Sequence, residues 1–171
     1  MPVEHKRAIM PDLRNALKEL ATKIGNPAWL SFVWFGMSAG ISLIETPVKF
    51  TAPTITREIA LDVGRVVFAA LNKAEIIALI LLLILVRISG RVRQLLAACL
   101  GVALIQIAQA TWLLPVLSAR AQQIVEGIDP GPSAAHGTYA VLQLLKLALL
   151  LYIGFRSMNS DTTAAEATRN R

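Results

Sequence analysis

The stretch IETPVKFTAPTITREIALDVGRVVFAALNKAE, residues 44–75, decides the fold of this 171-residue chain. It leaves one long apolar segment at Glu45, crosses a turn that contains Pro47 and Pro53, and enters a second apolar segment. The polar residues of that second segment are Arg65, Asn72, Lys73 and Glu75. Ionisable side chains are costly inside a membrane, so they usually face the interior of a bundle and are paired there. We therefore expect a helical hairpin whose polar groups face other helices.

The composition indicates a membrane protein. Hydrophobic residues make up 55% of the chain and charged residues 16%, whereas a soluble domain carries about a quarter charged residues. The apolar residues form four runs of membrane length, at approximately 28–44, 62–88, 94–117 and 138–155. These runs predict an all-α fold, a four-helix transmembrane bundle, with a loop over residues 118–137 before the fourth span.

Charge and periodicity divide the chain into three regions. Residues 1–26 are basic and place Leu13, Leu17, Leu20 and Ile24 on one helical face, which predicts an amphipathic segment on the cytoplasmic membrane surface. Residues 27–157 form the four-span domain, and residues 158–171 are expected to be a disordered cytoplasmic tail. Lysine and arginine are concentrated in the terminal segments and the second connection, so both termini are predicted in the cytoplasm. No cleavable signal sequence is expected, and we predict a multi-pass protein of the inner membrane.

Two polar stripes run along the second and fourth predicted spans. Their residues are Arg65, Phe68, Asn72 and Glu75 in one span, and His136, Tyr139, Gln143 and Lys146 in the other. Both have the spacing i, i+3, i+7, i+10, which places each set along one helix face. Glu75 and Lys146 lie roughly 15 Å along their helices from the first stripe residue, near the middle of a core about 30 Å thick. Because an unpaired charge at that depth costs about 3 kcal/mol, we predict that they form an ion pair.

Further polar residues extend this pattern. Asn72 and Gln143 are expected to hydrogen-bond to each other, with Gln106 and Gln109 of the third span closing their layer. The predicted buried polar network comprises Glu75, Lys146, Asn72, Gln143, Arg65, Tyr139, Gln106 and Gln109, and the predicted outer mouth comprises Glu45, Lys49, Arg120 and His136. The cationic excess at the mouth suits an anionic group. Two other interpretations fit the same residues: polar pairs that hold helices in register, and basic side chains that extend to the interface.

Small and aromatic residues suggest further contacts. Gly36 and Gly40 form a GxxxG motif, which favours close helix packing and could also hold a second copy or a membrane partner. Ala97 and Gly101 form a second such pair, and Cys99 beside them is expected to be a small packed residue. Trp29 and Trp34 fit the membrane interface. Pro47-Val48 and Pro115-Val116 end the first and third spans alike, a weak sign of an internal repeat.

Several classes of function find no support in the sequence. It contains no recognised catalytic motif, so no enzyme activity is expected, and its few histidines and scattered methionines predict neither a metal site nor a cofactor. The basic charge is a topology signal, so the bilayer and not nucleic acid is the expected partner. Three hypotheses stay open: a binding or permeation module for a proton, ion or small anionic solute, a structural or accessory subunit, and a quinone-binding redox module near Tyr139, Trp112 and His136.

Four segments carry a resemblance to a known group of proteins. They are ETPVKFTAP (45–53), GRVVFAALNKAE (64–75), LLPVLSAR (113–120) and AHGTYAVLQLLK (135–146). Together they resemble an uncharacterised bacterial family of four-span inner-membrane proteins that is distantly similar to copper-resistance protein D. The resemblance implies the fold and the membrane location, and it implies no catalytic residues. The chain lacks the methionine and histidine pairs that a copper role would require.

Overall fold

Four long helices form the bundle in the computed structural model, which describes residues 25–169 and the side chains of residues 25–159. The helices are α1 (Pro27–Thr51), α2 (Arg57–Ile88), α3 (Val92–Val125) and α4 (Ala135–Arg169). Each contains a segment long and apolar enough to cross a membrane, so the predicted four-span helical fold is confirmed. The described residues contain no strand. Most of the predicted amphipathic segment, residues 1–24, lies outside the described part of the chain.

The connections define two ends of the bundle. Residues 52–56 and 126–134 connect helices at one end, which we call the loop end. Residues 89–91 connect α2 to α3 at the opposite end, the terminal end, where α1 also begins. Gly90 in this short turn has φ 71°, a left-handed conformation that glycine adopts without steric cost.

Two predicted boundaries need correction. The loop expected over residues 118–137 is shorter, because α3 continues to Val125 and residues 118–125 contain no glycine or proline that would stop a helix. The tail expected to be disordered from residue 158 is helical through Arg169. Its Ala-Ala-Glu-Ala run, residues 164–167, has high helix propensity. The prediction of disorder considered only apolar periodicity and therefore did not take this propensity into account.

An apolar core fills the terminal half of the bundle. Its fully buried members include Leu82, Leu95, Cys99, Val102, Leu150 and Ile153. Cys99 is thus a small packed residue, as predicted. Gly101 allows α3 to approach α4, because a Cβ there would lie 2.9 Å from Leu149 Cδ1.

The two glycines of the α1 GxxxG motif, Gly36 and Gly40, do not form a close helix contact among the described residues. A Cβ added at Gly36 or Gly40 would meet nothing within 4 Å. Its prediction as a packing contact within the bundle is therefore wrong. The close approach of α1 to α4 occurs on another face, where the Phe32 ring would lie 2.7 Å from a Cβ at Gly154.

The two hairpins share one architecture. A π-helical segment interrupts α1 at Gly40–Glu45 and α3 at Gln109–Leu113, and Pro47 or Pro115 follows at the second residue beyond it. Proline lacks an N–H and clashes with the carbonyl four residues earlier, and a wider turn before it accommodates that clash. The second helix of each hairpin then carries a polar stripe, so the repeat suggested by the sequence extends to the backbone.

Candidate functional site

Glu75 and Lys146 form an ion pair between α2 and α4. Lys146 Nζ lies 2.9 Å from Glu75 Oε2, and the two residues are 0% and 1% exposed. The pairing agrees with the prediction from matched depth. Its burial means that neither charge is screened by solvent, so the remaining polar atoms of both groups must find partners within the protein.

The ammonium group of Lys146 is saturated. Besides Glu75, it donates to Gln106 Oε1 at 2.9 Å and to Gln109 Oε1 at 2.7 Å. An ammonium group has three N–H donors, so each of them has an acceptor. Helix α3 supplies two of those acceptors, spaced three residues apart on one face.

The second carboxylate oxygen of Glu75 binds α1. Ser38 Oγ donates to Glu75 Oε1 at 2.6 Å and Trp34 Nε1 donates to the same oxygen at 3.2 Å. Neither residue was predicted in the network, and the interfacial placement of Trp34 was wrong, since it is 1% exposed whereas Trp29 is 44% exposed. The sequence signal for this contact is the i, i+4 spacing of Trp34 and Ser38, which places an indole N–H and a hydroxyl on one face of α1.

The amide layer differs from the prediction. Asn72 and Gln143 do not bind each other: Gln106 Nε2 donates to Asn72 Oδ1 at 2.8 Å, and Gln109 Nε2 donates to Gln143 Oε1 at 3.0 Å. The α3 glutamines are two-sided, because each accepts from Lys146 through its oxygen and donates through its nitrogen. Nε2 of Gln143 is buried and has no hydrogen-bond partner among the described residues.

These contacts join all four helices in a single unit, which we call the clasp. It consists of Trp34 and Ser38 of α1, Asn72 and Glu75 of α2, Gln106 and Gln109 of α3, and Gln143 and Lys146 of α4. On the terminal side it is followed by the apolar core, which includes Leu82, Val102 and Leu150.

A cavity of about 360 Å³ lies on the loop-end side of the clasp, and we call it the vestibule. Its walls are mainly apolar and include Phe50, Leu61, Phe68, Leu114 and Leu117. The Phe68 and Tyr139 rings meet edge to face with centroids 5.7 Å apart. Asn72 and Gln143 come one helical turn after these two residues, so the aromatic pair lies between the vestibule and the clasp.

Two residues predicted in the buried network line the vestibule instead. Tyr139 contributes to its wall, and Arg65 lines it while donating to Asp62 Oδ1 at 2.6 Å and to Gln122 Oε1. The assignment of Arg65 to the buried network was wrong, since its side chain is 35% exposed and contacts no member of the clasp. The sequence did not reveal its partner Gln122, because that residue lies in the part of α3 that was expected to be a loop.

The four residues predicted at the mouth have separate roles. Lys49 lines the vestibule, with Nζ 3.4 Å from Glu45 Oε1. Arg120 donates to the carbonyl oxygens of Pro130 and Gly131 and so holds the second loop-end connection. His136 is exposed and lines both the vestibule and an adjoining cavity of about 600 Å³ at the loop end.

The predicted quinone site is only partly assembled. His136 and Tyr139 both line the vestibule, but Trp112 is 59% exposed and contributes nothing to its wall. Among the residues that the structure describes, no cluster of three or more His, Cys, Asp or Glu side chains could hold a metal ion. The described chain thus offers a cavity and a buried ion-pair network as its candidate functional features.

Comparison of the chain with protein-family models, with curated proteins and with solved structures finds no match. The resemblance to the four-span bacterial family therefore stays a prediction.

Proposed function

We propose that the protein is a small-molecule binding module of the bacterial inner membrane and that its ligand occupies the vestibule. The observation that carries this proposal is an apolar cavity of about 360 Å³ with one ammonium group, that of Lys49, in its wall. Ligand pockets measure about 300–1,000 Å³ and combine apolar walls with a few polar groups. The lysine and arginine distribution directs the vestibule away from the cytoplasm.

The clasp serves in this proposal as the rigid floor of the site. A buried ion pair that loses one partner costs several kcal/mol, so it strongly disfavours helix shifts that would separate the two charges. Fixing the register of all four helices also fixes the positions of Phe68 and Tyr139, which lie one turn above the clasp. The clasp thereby holds the cavity open without contacting the ligand.

Binding is better supported than permeation. An ion or proton path would have to cross the clasp, in which the Lys146 ammonium has an acceptor for each donor. It would then have to cross the close-packed residues Leu82, Val102 and Leu150, each fully buried. The three residues belong to a larger cluster of buried apolar side chains, and such side chains neither relay a proton nor coordinate an ion.

Filling the vestibule tests this proposal. Native mass spectrometry of the protein released from mild detergent should reveal a bound small molecule, and an absorption spectrum of the same sample would identify a quinone. Ala110→Leu places a larger side chain in the vestibule wall and should abolish binding. Ala97→Leu makes the same change on the exposed surface of α3 and should leave binding intact. Equal retention in both variants would contradict the proposal.

A second candidate is a structural or accessory subunit, favoured by the saturation of the clasp. In that case the polar residues hold the bundle and no ligand is needed. Replacing Glu75 by Gln and Lys146 by Met together distinguishes permeation from the other two hypotheses, and ligand retention then separates binding from an accessory role. A permeation role predicts loss of activity with the fold retained, whereas an accessory role tolerates the change. The binding proposal predicts that a folded double variant still binds its ligand, since the clasp lies below the vestibule.

A further inference from the structure

The bundle contains two buried or half-buried lysines whose surroundings differ. Lys146 in the clasp has three acceptors within 2.9 Å. Lys49 in the vestibule has one carboxylate partner among the described residues, Glu45, at 3.4 Å from Oε1 and 3.5 Å from Oε2. Since an ammonium group has three donors, Lys49 keeps donor capacity that Lys146 has used.

The position of the Lys49 ammonium is defined by its neighbours. Its Nζ lies 5.8 Å from the ring centroids of both Phe50 and Phe68, and a Cβ at Gly64 would lie only 2.7 Å from it. The side chain is 10% exposed. Gly64 therefore provides the space in which the ammonium lies against α2, inside the cavity wall and not extended toward solvent.

Arg65, the other permanently charged side chain in the vestibule wall, has closer partners than Lys49. Arg65 Nη2 lies 2.6 Å from Asp62 Oδ1, and Nη1 donates to Gln122. Lys49 is thus the cation of the vestibule with the longest ion-pair distance. A group that replaces or supplements Glu45 there would need negative charge or strong acceptor character.

The walls restrict the rest of the ligand. Leu61, Phe68, Leu114 and Leu117 line the same cavity as Lys49 with apolar surface, so the part of the ligand attached to the anionic group must itself be apolar. The volume of about 360 Å³ is near the lower limit for ligand pockets. A compact body with one anionic group fits such a space better than a two-chain lipid.

From these observations we infer that the ligand of the vestibule is a small amphiphilic anion, such as a carboxylate on a short apolar chain, anchored by Lys49. This inference rests on the proposed binding function and adds the chemical class of the ligand. Glu45 acts as the internal counter-ion that the ligand's anionic group displaces or supplements. Gly64 is a positioning residue that keeps the ammonium in the wall.

Three probes separate the contribution of the anionic group to the affinity from that of the apolar chain. Octanoate carries both, octanol carries the chain without the charge, and acetate carries the charge without the chain. Equilibrium dialysis of radiolabelled probes against the protein in non-ionic detergent, with protein-free micelles as blank, should give octanoate binding roughly tenfold tighter than octanol, the factor that about 1.4 kcal/mol gives. Acetate should bind weakest, because it buries almost no apolar surface.

Matched variants assign the effect to Lys49. Lys49→Met should remove the octanoate preference, while octanol binding should fall much less, which also reports that the cavity is intact. Gly64→Ala should reduce the preference by displacing the ammonium while its charge stays, and Glu45→Gln should increase it. Lys73→Met, on the exposed surface of α2, should change neither probe.

The outcomes distinguish the two proposals. Equal affinities for octanoate and octanol, both lost in Ala110→Leu, would overturn the amphiphilic anion and leave the binding function standing. An octanoate preference that persists in Lys49→Met would overturn the role of Lys49. Absence of binding by every probe to the wild-type protein would overturn the amphiphilic anion, and the binding function would fall with it only if native mass spectrometry also found no bound small molecule.

Discussion

Lys146 Nζ lies 2.9 Å from Glu75 Oε2, where the polar stripes of α2 and α4 meet at the same position in each stripe. The second residues of the stripes, Phe68 and Tyr139, also contact each other across the same interface. The stripes therefore pair in register, with an aromatic contact toward the loop end and an ionic contact toward the centre. This register fixes the boundary between an accessible cavity and a sealed interior.

Breaking the clasp on one side should be more damaging than replacing both charges. We expect Lys146→Met to lower the free energy of unfolding by about 3 kcal/mol, because it leaves the Glu75 carboxylate buried without its counter-ion. Adding Glu75→Gln should restore part of that loss, with a coupling energy of about 2 kcal/mol in a double-mutant cycle. Unfolding in mixed micelles measures both values. Additive effects would contradict the pairing.

The indole N–H of Trp34 should contribute measurably to stability. Trp34→Phe keeps an aromatic ring but removes the donor to Glu75, so we expect a loss of about 2 kcal/mol, typical of a hydrogen bond to a charged group. Trp29→Phe is the matched control, because Trp29 is largely exposed and should change stability by less than about 0.5 kcal/mol. Equal losses in the two variants would show that Trp34 does not bind Glu75 in this way.

The glycines of the bundle should respond differently to one added methyl group. Gly154→Ala places a Cβ 2.7 Å from the Phe32 ring and should destabilise the protein by about 2 kcal/mol through overpacking. Gly36→Ala meets no atom within 4 Å and should be neutral within about 0.5 kcal/mol. Thermal unfolding of both variants checks this difference. A loss of self-association in Gly36→Ala would instead assign the GxxxG motif to a contact between chains.

Sequence alone predicted the centre of the site because the physics there leaves few choices. Glu75 and Lys146 were the charged residues at matched depth in two membrane-length helices, and desolvation makes their pairing favourable. Trp34 and Ser38 were missed because hydropathy treats them as ordinary members of an apolar span. Their N–H and O–H donors become relevant only when the second carboxylate oxygen of Glu75, which Lys146 does not bind, is also given hydrogen-bond partners.

The errors around the centre have two causes. The predicted bond between Asn72 and Gln143 is wrong because helix spacing gives the depth of a side chain but not its partner. Each of the two residues binds a glutamine of α3 instead. Arg65 was placed in the network because its partner, Gln122, fell in a predicted loop. The vestibule itself could not be predicted, since a cavity depends on side-chain packing and on the two π-helical segments.

Thiol labelling of Ala110→Cys tests the central structural claim, an open vestibule above a sealed bundle, most directly. The natural Cys99 lies in the apolar core and serves as the internal reference, while residue 110 lines the vestibule. With a small maleimide in native membranes, we predict one label per chain in Ala110→Cys and none in the wild-type protein. Labelling of Cys99 at a similar rate, or an unreactive Ala110→Cys, would contradict the account.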